Sequence, residues 1–464
     1  MPRSSDKREL AVGGRGGRSG EGGRSLVESV TGWVEESLRS EGYQLPLIKR
    51  IGFLVTGLLR AESARRGDLV MALDQLAVTS AEPESIARRV VRTLDDPRLD
   101  PDRVLVHALS LPLQGLLAGV LAEHEQSAAS DPLHAEHFPR LRVIVDETSK
   151  VDDVHILVAG LGYQGAAIPL AIRTWKQNAA LEPDQYRTEL TSLLTSVEAL
   201  LPPALRSHIL LLADRAYGRS DFVDLLNAFG WGWILRIQGQ TRIRLSDETT
   251  VAARSLVTKP GDFWCQRVNA RSLPESIAAF KHSGWKRCHF VAAWAPQSNE
   301  PWLLVTNLTP TPERFLDYAS RWSIERLFLV WKSHGWDIES LQMSSPQRLA
   351  RYLSALALAT IWTLVCGVTH VTTRIQARLS RCPQPTNHCV QPRLPGFDLP
   401  TTDHRSLFAK HSLISWGRHI LWGRHILHHA YCQLFTPPMH WLLPDWQAPT
   451  WSTHSQLLLA HHPL

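Results

Sequence analysis

Two aspartates and one helical segment carry the side chains of this sequence that could do chemistry together. Asp146 stands in Val-Asp-Glu-Thr directly after the apolar run Leu141–Val145, and Asp214 stands in Ala-Asp-Arg-Ala-Tyr-Gly directly after Ile209–Ala213. An acid at the end of a buried strand is held on a rigid frame, and hard divalent cations take oxygen ligands held in that way. The same position suits a helix N-cap, so neither aspartate is decided by its own neighbourhood. In Tyr318–Lys332, the residues Tyr318, Arg321, Glu325 and Lys332 are spaced by three, four and seven. At 3.6 residues per turn these intervals return to one helix face. Ile324, Leu327, Phe328, Val330 and Trp331 fill the rest of the helix, so its polar stripe must face a cleft or a partner. A buried Glu flanked by Arg and Lys also reads as a structural ion pair.

The elements that would position these residues follow from hydrophobic period. Leu141–Val145, His155–Leu161 and Ala166–Leu170 read as three tightly joined strands with Gly160, Gly162 and Gly165 at the turns. A helix over Asp184–Leu200 ends at Pro202 and Pro203. Then come the strand Ile209–Ala213, a helix over Ser220–Phe229 and the strand Trp233–Ile237. Three strands, then helix, strand, helix, strand, describe an α/β mixed sheet in the ribonuclease-H-like order. Residues 238–300 revert to short strands (Thr241–Leu245, Phe263–Val268, Cys288–Trp294) and read as a β-rich insertion; the core resumes over 301–370 with the strand Trp302–Asn307 and long helices over Pro312–His334 and Pro346–His370.

Ahead of this core, residues 26–135 carry helical spacing at Leu26–Leu38, Leu47–Leu59, Leu69–Leu76, Ile86–Leu94 and Val104–Leu121, an α-helical N-terminal domain expected to bind DNA. Arg88, Arg89 and Arg92 share neighbouring surface on one of its helices, either as a phosphate grip or as an ordinary solvated face. Residues 1–25 are Gly- and Arg-rich and read as a flexible basic arm. Residues 371–464 form a His- and Pro-rich tail: twelve of the 21 histidines fall between His370 and the end, and Trp-Gly-Arg-His-Ile-Leu occurs at both Trp416 and Trp422.

The chain has 464 residues, 44% hydrophobic and 20% charged, with a formal net charge of +6. That composition excludes a disordered or membrane protein and allows about three domains. The mild basicity suits a polyanionic partner. Six scattered cysteines without a Cys-x-x-Cys pair fit a reducing cytoplasm. Leu353–Val368, interrupted by Ser354, Thr360 and Thr363, reads as a core helix too short to span a membrane.

From about Val143 to Glu339 the sequence resembles the DDE transposases of the insertion-sequence-4 type. The resemblance rests on Asp-x-Thr at Asp146–Thr148, Asp-Arg-x-Tyr-Gly at Asp214–Gly218, Arg-Trp at Arg321–Trp322, and the family signature Tyr, two residues, Arg, three residues, Glu, six residues, Lys, which Tyr318, Arg321, Glu325 and Lys332 fit without a gap. It implies Asp146, Asp214 and Glu325 as the catalytic and metal-binding acids, with two Mg²⁺ or Mn²⁺ ions as cofactor. It implies Tyr318, Arg321, Trp322, Lys332 and Arg215 as DNA-binding residues, double-stranded DNA (transposon ends and target) as partner, a homodimer in the DNA complex, and a cytoplasmic, nucleoid-associated bacterial protein. Trp322 matches the aromatic onto which a flipped terminal base would stack, with Trp285, Trp294 and Trp302 as partners or, more simply, core residues. Leu329 departs from the family, where a basic residue is often found. The rival expectations are a ribonuclease-H-like nuclease without strand transfer and a catalytically inactive, transposase-derived DNA-binding protein.

Overall fold

The structure is a computed structural model and describes residues 18–39, 42–76, 81–109, 141–150, 154–163, 166–176, 181–201, 203–245, 247–265, 277–280, 284–294, 298–333 and 335–379. Most of the basic arm, the end of the helix expected over Val104–Leu121, Gly165 and nearly all of the His-rich tail lie outside these residues.

The N-terminal part is helical: α1 (Arg18–Arg39), α2 (Leu45–Ala61), α3 (Arg66–Gln75), α4 (Pro83–Asp95) and α5 (101–109). In α2, Leu47, Ile48, Ile51, Leu54, Val55 and Leu58 recur on one face and are buried, the stripe that a helix packed against a core requires. α1 begins at Arg18, so the last residues expected in the basic arm are helical.

The sheet runs β3-β2-β1-β4-β5-β11-β10-β9-β6-β7, with β8 also paired to β10. Its strands are β1 (Leu141–Lys150), β2 (Val154–Tyr163), β3 (Ala166–Lys176), β4 (Ile209–Ala213), β5 (Gly232–Arg236), β6 (Arg242–Arg244), β7 (Thr250–Ala252), β8 (Phe263–Cys265), β9 (Ile277–Ala279), β10 (Lys286–Ala293) and β11 (Trp302–Thr306). β1, β2 and β3 pair antiparallel, and β1-β4 and β4-β5 pair parallel. β4 is wholly buried Ile-Leu-Leu-Leu-Ala, the continuous apolar run of a parallel strand covered on both faces. α6 (Pro183–Leu200) follows β3 and α7 (Ser220–Phe229) joins β4 to β5. β11 adds antiparallel to β5, and β10 to β11, so the β-rich segment hydrogen-bonds onto the edge of the core sheet.

Three readings of local structure change. Gly160 and Gly162 lie inside β2, not at a turn. A Cβ on Gly162 would come 3.2 Å from Ile144 Cδ1 and 3.4 Å from Ser323 Oγ, so the missing side chain lets a helix lie close on the sheet. That helix is the second correction: the single helix expected over Pro312–His334 is two, α8 (Glu313–Ala319) and α9 (Trp322–Lys332). Between them Arg321 N–H bonds to Tyr318 O and Ser323 N–H to Ser320 O, while the Ser320 and Ser323 hydroxyls donate to Asp317 O and Ser320 O; serine hydroxyls that bond nearby carbonyls compete with the helical ladder. Third, α10 runs Pro346–Leu379, into the expected tail, and its Pro346–Cys366 stretch is long and apolar enough to cross a membrane. Length, on which the sequence reading relied, therefore does not settle the matter; burial does, since 83% of the apolar window is buried inside the protein.

Candidate active site

β1 and β4 bring the two aspartates together. Val145 pairs with Ala213 at the end of the parallel ladder, so Asp146 and Asp214 are the next residue on each strand. β1 itself continues past Asp146 to Lys150 on β2, so Asp146 sits within a strand and beyond the end of its parallel neighbour. After β4 the chain turns at once: Asp214 Oδ1 accepts the Ala216 N–H (2.9 Å), and Tyr217 N–H bonds to Asp214 O. Gly218 ends the turn where a Cβ would stand 2.6 Å from the Arg236 carbonyl, a clash that only glycine avoids. The spacing from Asp214 to Gly218 is thus set by the approach to β5.

α9 supplies the third acid. α8 is pinned to β1 by Asp317, which accepts from Arg142 (2.9 Å) and Arg314 (2.8 Å), and α9 lies over β2 at Gly162. Glu325 is in the first turn of α9. Arg321 joins it to the strands: Nη1 donates to Asp146 Oδ2 (3.0 Å) and Nη2 to Glu325 Oε1 (2.5 Å). The Arg321 and Asp146 side chains are 9% and 14% exposed, Glu325 41%, so the first pair is buried and the second half-open. Burial raises the Asp146 carboxyl to about 6; Arg321 opposes the rise, while the charges of Asp214 and Glu325 add to it. Burial works against the Arg321 charge, but Tyr318, Asp146 and Glu325 outweigh it and hold the guanidinium firmly protonated.

The remaining expected residues divide. Tyr318 is 3% exposed, packed edge-on against Trp302 at 5.3 Å, and its hydroxyl is buried without a partner; burial raises that hydroxyl to about 12. The Trp322 ring lies 5.4 Å from the Arg321 guanidinium. Lys332 pairs with Glu339 (3.0 Å), and Arg215 with Glu300 (3.2 Å), which also takes Arg236. Trp302 is a core residue, whereas Trp294 and Trp285 lie under Arg254 and Arg244. A cavity of about 640 Å³ between α3, α4 and the Ser340–Ser345 segment contains none of the acids.

Sequence reasoning missed a polar cluster beside Asp146. Glu147 bonds His155 Nδ1, and the Tyr186 hydroxyl reaches Glu147 Oε2 (3.2 Å) and lies 3.5 Å from the Tyr217 hydroxyl. His155 stacks on Trp175 at 5.4 Å. These residues come from β1, β2, β3, α6 and the turn after β4, and only the strand register, Ser149 opposite His155, places Glu147 beside His155.

The acids agree with a divalent-cation site in donor chemistry, since all three offer oxygen. Among the described residues, no three His, Cys, Asp or Glu side chains are grouped closely enough to hold a metal ion, and Arg321 bridges two of the acids.

Residues 179–362 match the family model of the transposase DDE domain. The matched stretch contains Asp214, Glu325 and the whole of Tyr318–Lys332; Asp146 and β1 to β3 precede it. This part of the chain is therefore similar to the catalytic domain of DNA-cleaving transposases, and the strand order found for β1 to β5 is compatible with the ribonuclease-H-like core of such a domain. No curated protein matches the chain.

Proposed function

We propose that the protein is a DDE transposase of the insertion-sequence-4 type that binds transposon ends and carries out strand cleavage and strand transfer on double-stranded DNA, in the cytoplasm and as a dimer on DNA. The observation that carries this reading is that β1 and β4 set Asp146 and Asp214 side by side and Arg321 ties Glu325 of α9 to Asp146, with two of the three acids within a stretch similar to the transposase DDE domain. Asp146, Asp214 and Glu325 would hold the metal. Two magnesium or manganese ions there would clamp the attacking and leaving oxygens of an in-line displacement at phosphorus.

The protein's own groups then have distinct tasks. Asp146 and Asp214 are fixed by backbone, one in a strand and one in a turn closed by Gly218. Glu325 is more exposed than Asp146, 41% against 14%, and turns more easily. Arg321 and Lys332 offer charge-assisted hydrogen bonds to backbone phosphate once their carboxylate partners give way, and the Tyr318 hydroxyl is a buried donor awaiting an acceptor. Arg215 and Trp322 lie beside the same edge, for a phosphate and for an unstacked base. No covalent intermediate is required, so no side-chain nucleophile is involved.

The test is cleavage of labelled DNA carrying the transposon end, with Mg²⁺ or Mn²⁺, by the intact protein and by Glu325→Gln. Metal-dependent nicking at the end that falls by at least about 10²-fold in the variant, with DNA binding kept, is expected for a group acting only in the transition state. Equal cutting by both proteins would remove Glu325 from the mechanism. Nicking without joined product would favour a nuclease, and binding without cutting an inactive DNA-binding protein.

A further inference from the structure

We propose that Arg321 is a resident stand-in for a divalent cation: its guanidinium ties Asp146 to Glu325 when no metal is bound, competes with the metal for those two carboxylates, and is released toward an anionic group when the metal enters. The proposal rests on the reading of Asp146, Asp214 and Glu325 as metal ligands.

The geometry is that of a bridge. One guanidinium gives Nη1 to Asp146 and Nη2 to Glu325, at 3.0 and 2.5 Å, so a single positive charge spans the acid from the sheet and the acid from α9. Of the three acids, Arg321 contacts two, Asp146 and Glu325, and supplies the positive charge between them. Its fork is matched to carboxylates in a way that a lysine ammonium is not. The helix break at Ser320–Arg321 sets Arg321 at the N-cap of α9, one turn before Glu325, so it reaches forward along the helix and across to β1.

The bridge is also incomplete. Arg321 Nε and the Tyr318 hydroxyl are both buried without an acceptor, and the two side chains adjoin, with the guanidinium carbon 6.0 Å from the Tyr318 ring centre. Buried donors left unmet are uncommon and costly, and two together mark a place where an acceptor is expected in another state. A structural ion pair alone accounts for the two bridging bonds and leaves these donors unexplained. If a cation takes over Asp146 and Glu325, the guanidinium keeps its charge and loses both partners, and an anion can then satisfy its Nη groups, its Nε and the tyrosine hydroxyl together.

The experiment is thermal unfolding of the full-length protein without DNA, in EDTA and across a Mn²⁺ titration, for wild type, Arg321→Gln and Arg321→Lys. Arg321→Gln should unfold at lower temperature than wild type in EDTA, because the acids lose their counter-charge. It should reach half of its Mn²⁺-induced stabilisation at a roughly ten-fold lower metal concentration, because the competitor is gone. Arg321→Lys should fall between the two. The same Mn²⁺ midpoint in wild type and Arg321→Gln overturns the proposal while leaving the metal site in place; Mn²⁺ that stabilises none of the proteins overturns the metal-site reading and the proposal with it. Should Arg321→Gln not fold, the wild type decides: in protein carrying ¹⁵N-arginine, the Arg321 Nε–H resonance, assigned by its loss in Arg321→Lys, should move as Mg²⁺ saturates the site. A resonance unmoved at a Mg²⁺ concentration that stabilises the protein overturns the proposal.

Discussion

The buried Asp146 carboxyl is under electrostatic strain. Its carboxyl titrates near 6 in the folded chain against an ordinary value of 3.8, chiefly because it is buried, with Arg321 opposing and Asp214 and Glu325 reinforcing the shift. Between those pH values the native state binds a proton that the unfolded chain has released, so stability falls as pH rises through the window and stays lower above it. An asparagine does not titrate. Asp146→Asn should therefore become more stable relative to wild type as pH rises from about 4 to about 7, by at most about 3 kcal/mol. Urea unfolding of both proteins at the two ends of that range measures it, and a difference that stays constant would mean that the burial of this charge has little weight. Such a cost is the kind that a binding site retains because a ligand removes it.

Glycine and serine decide how α9 reaches the acids. Gly162 in β2 lets α9 lie close, and the serines at 320 and 323 tighten the chain between α8 and α9 so that Arg321 and Glu325 face β1. On the far side Trp331 is fully buried and its Nε1 donates to Thr360 of α10 (3.0 Å), clamping α9 between sheet and helix. With both sides packed, extra volume has nowhere to go. Gly162→Val should cost about 1–3 kcal/mol in urea unfolding, the usual penalty of overpacking, and lower cleavage more than DNA binding because it lifts Glu325 from the aspartates. A variant of wild-type stability would show that α9 can move away freely.

The helical N-terminal part and the sheet share one buried core. Trp336, just after α9, donates from Nε1 to Leu58 O of α2 (2.9 Å), and the Tyr352 hydroxyl of α10 donates to Ala64 O (2.7 Å). The helices that would grip DNA are therefore anchored next to the helix that carries Glu325. On α4, Ile86, Val90 and Leu94 face inward, while Arg88, Arg89 and Arg92 are exposed. Arg215, Arg321 and Lys332 each hold a carboxylate. On α4, Arg88 holds Glu84 in an exposed pair, and of these four pairs only Arg321–Asp146 is buried; phosphates bound by α4 would release counter-ions without that buried pair having to break first, so part of the salt dependence of DNA binding should arise there. Replacing Arg89 and Arg92 by Ala should flatten the slope of log K against log salt by roughly 0.9 for each phosphate that the variant no longer neutralises. An unchanged slope would leave α4 a solvated face.

Much of this was legible in the order of residues. Strands β4 and β5 and helices α6 and α7 have bounds within a residue or so of the expected ones, because apolar runs and their Gly and Pro punctuation are local signals. Asp214 just after β4 and Glu325 on a helix stand where the sequence puts them, because strand ends and helical spacing are local too, whereas β1 runs past Asp146 to Lys150. Four features were decided only by the fold: that Gly160 and Gly162 belong to a strand beneath a helix, that α8 and α9 are separate, that Tyr318 is buried with an unmet hydroxyl, and that Glu147 meets His155 and Tyr186. Each depends on the register or approach of elements far apart in the chain. The same is true of Arg321: its spacing from Glu325 could be read along one helix, but its bond to Asp146 needed the sheet, 175 residues earlier in sequence, to be laid beneath that helix.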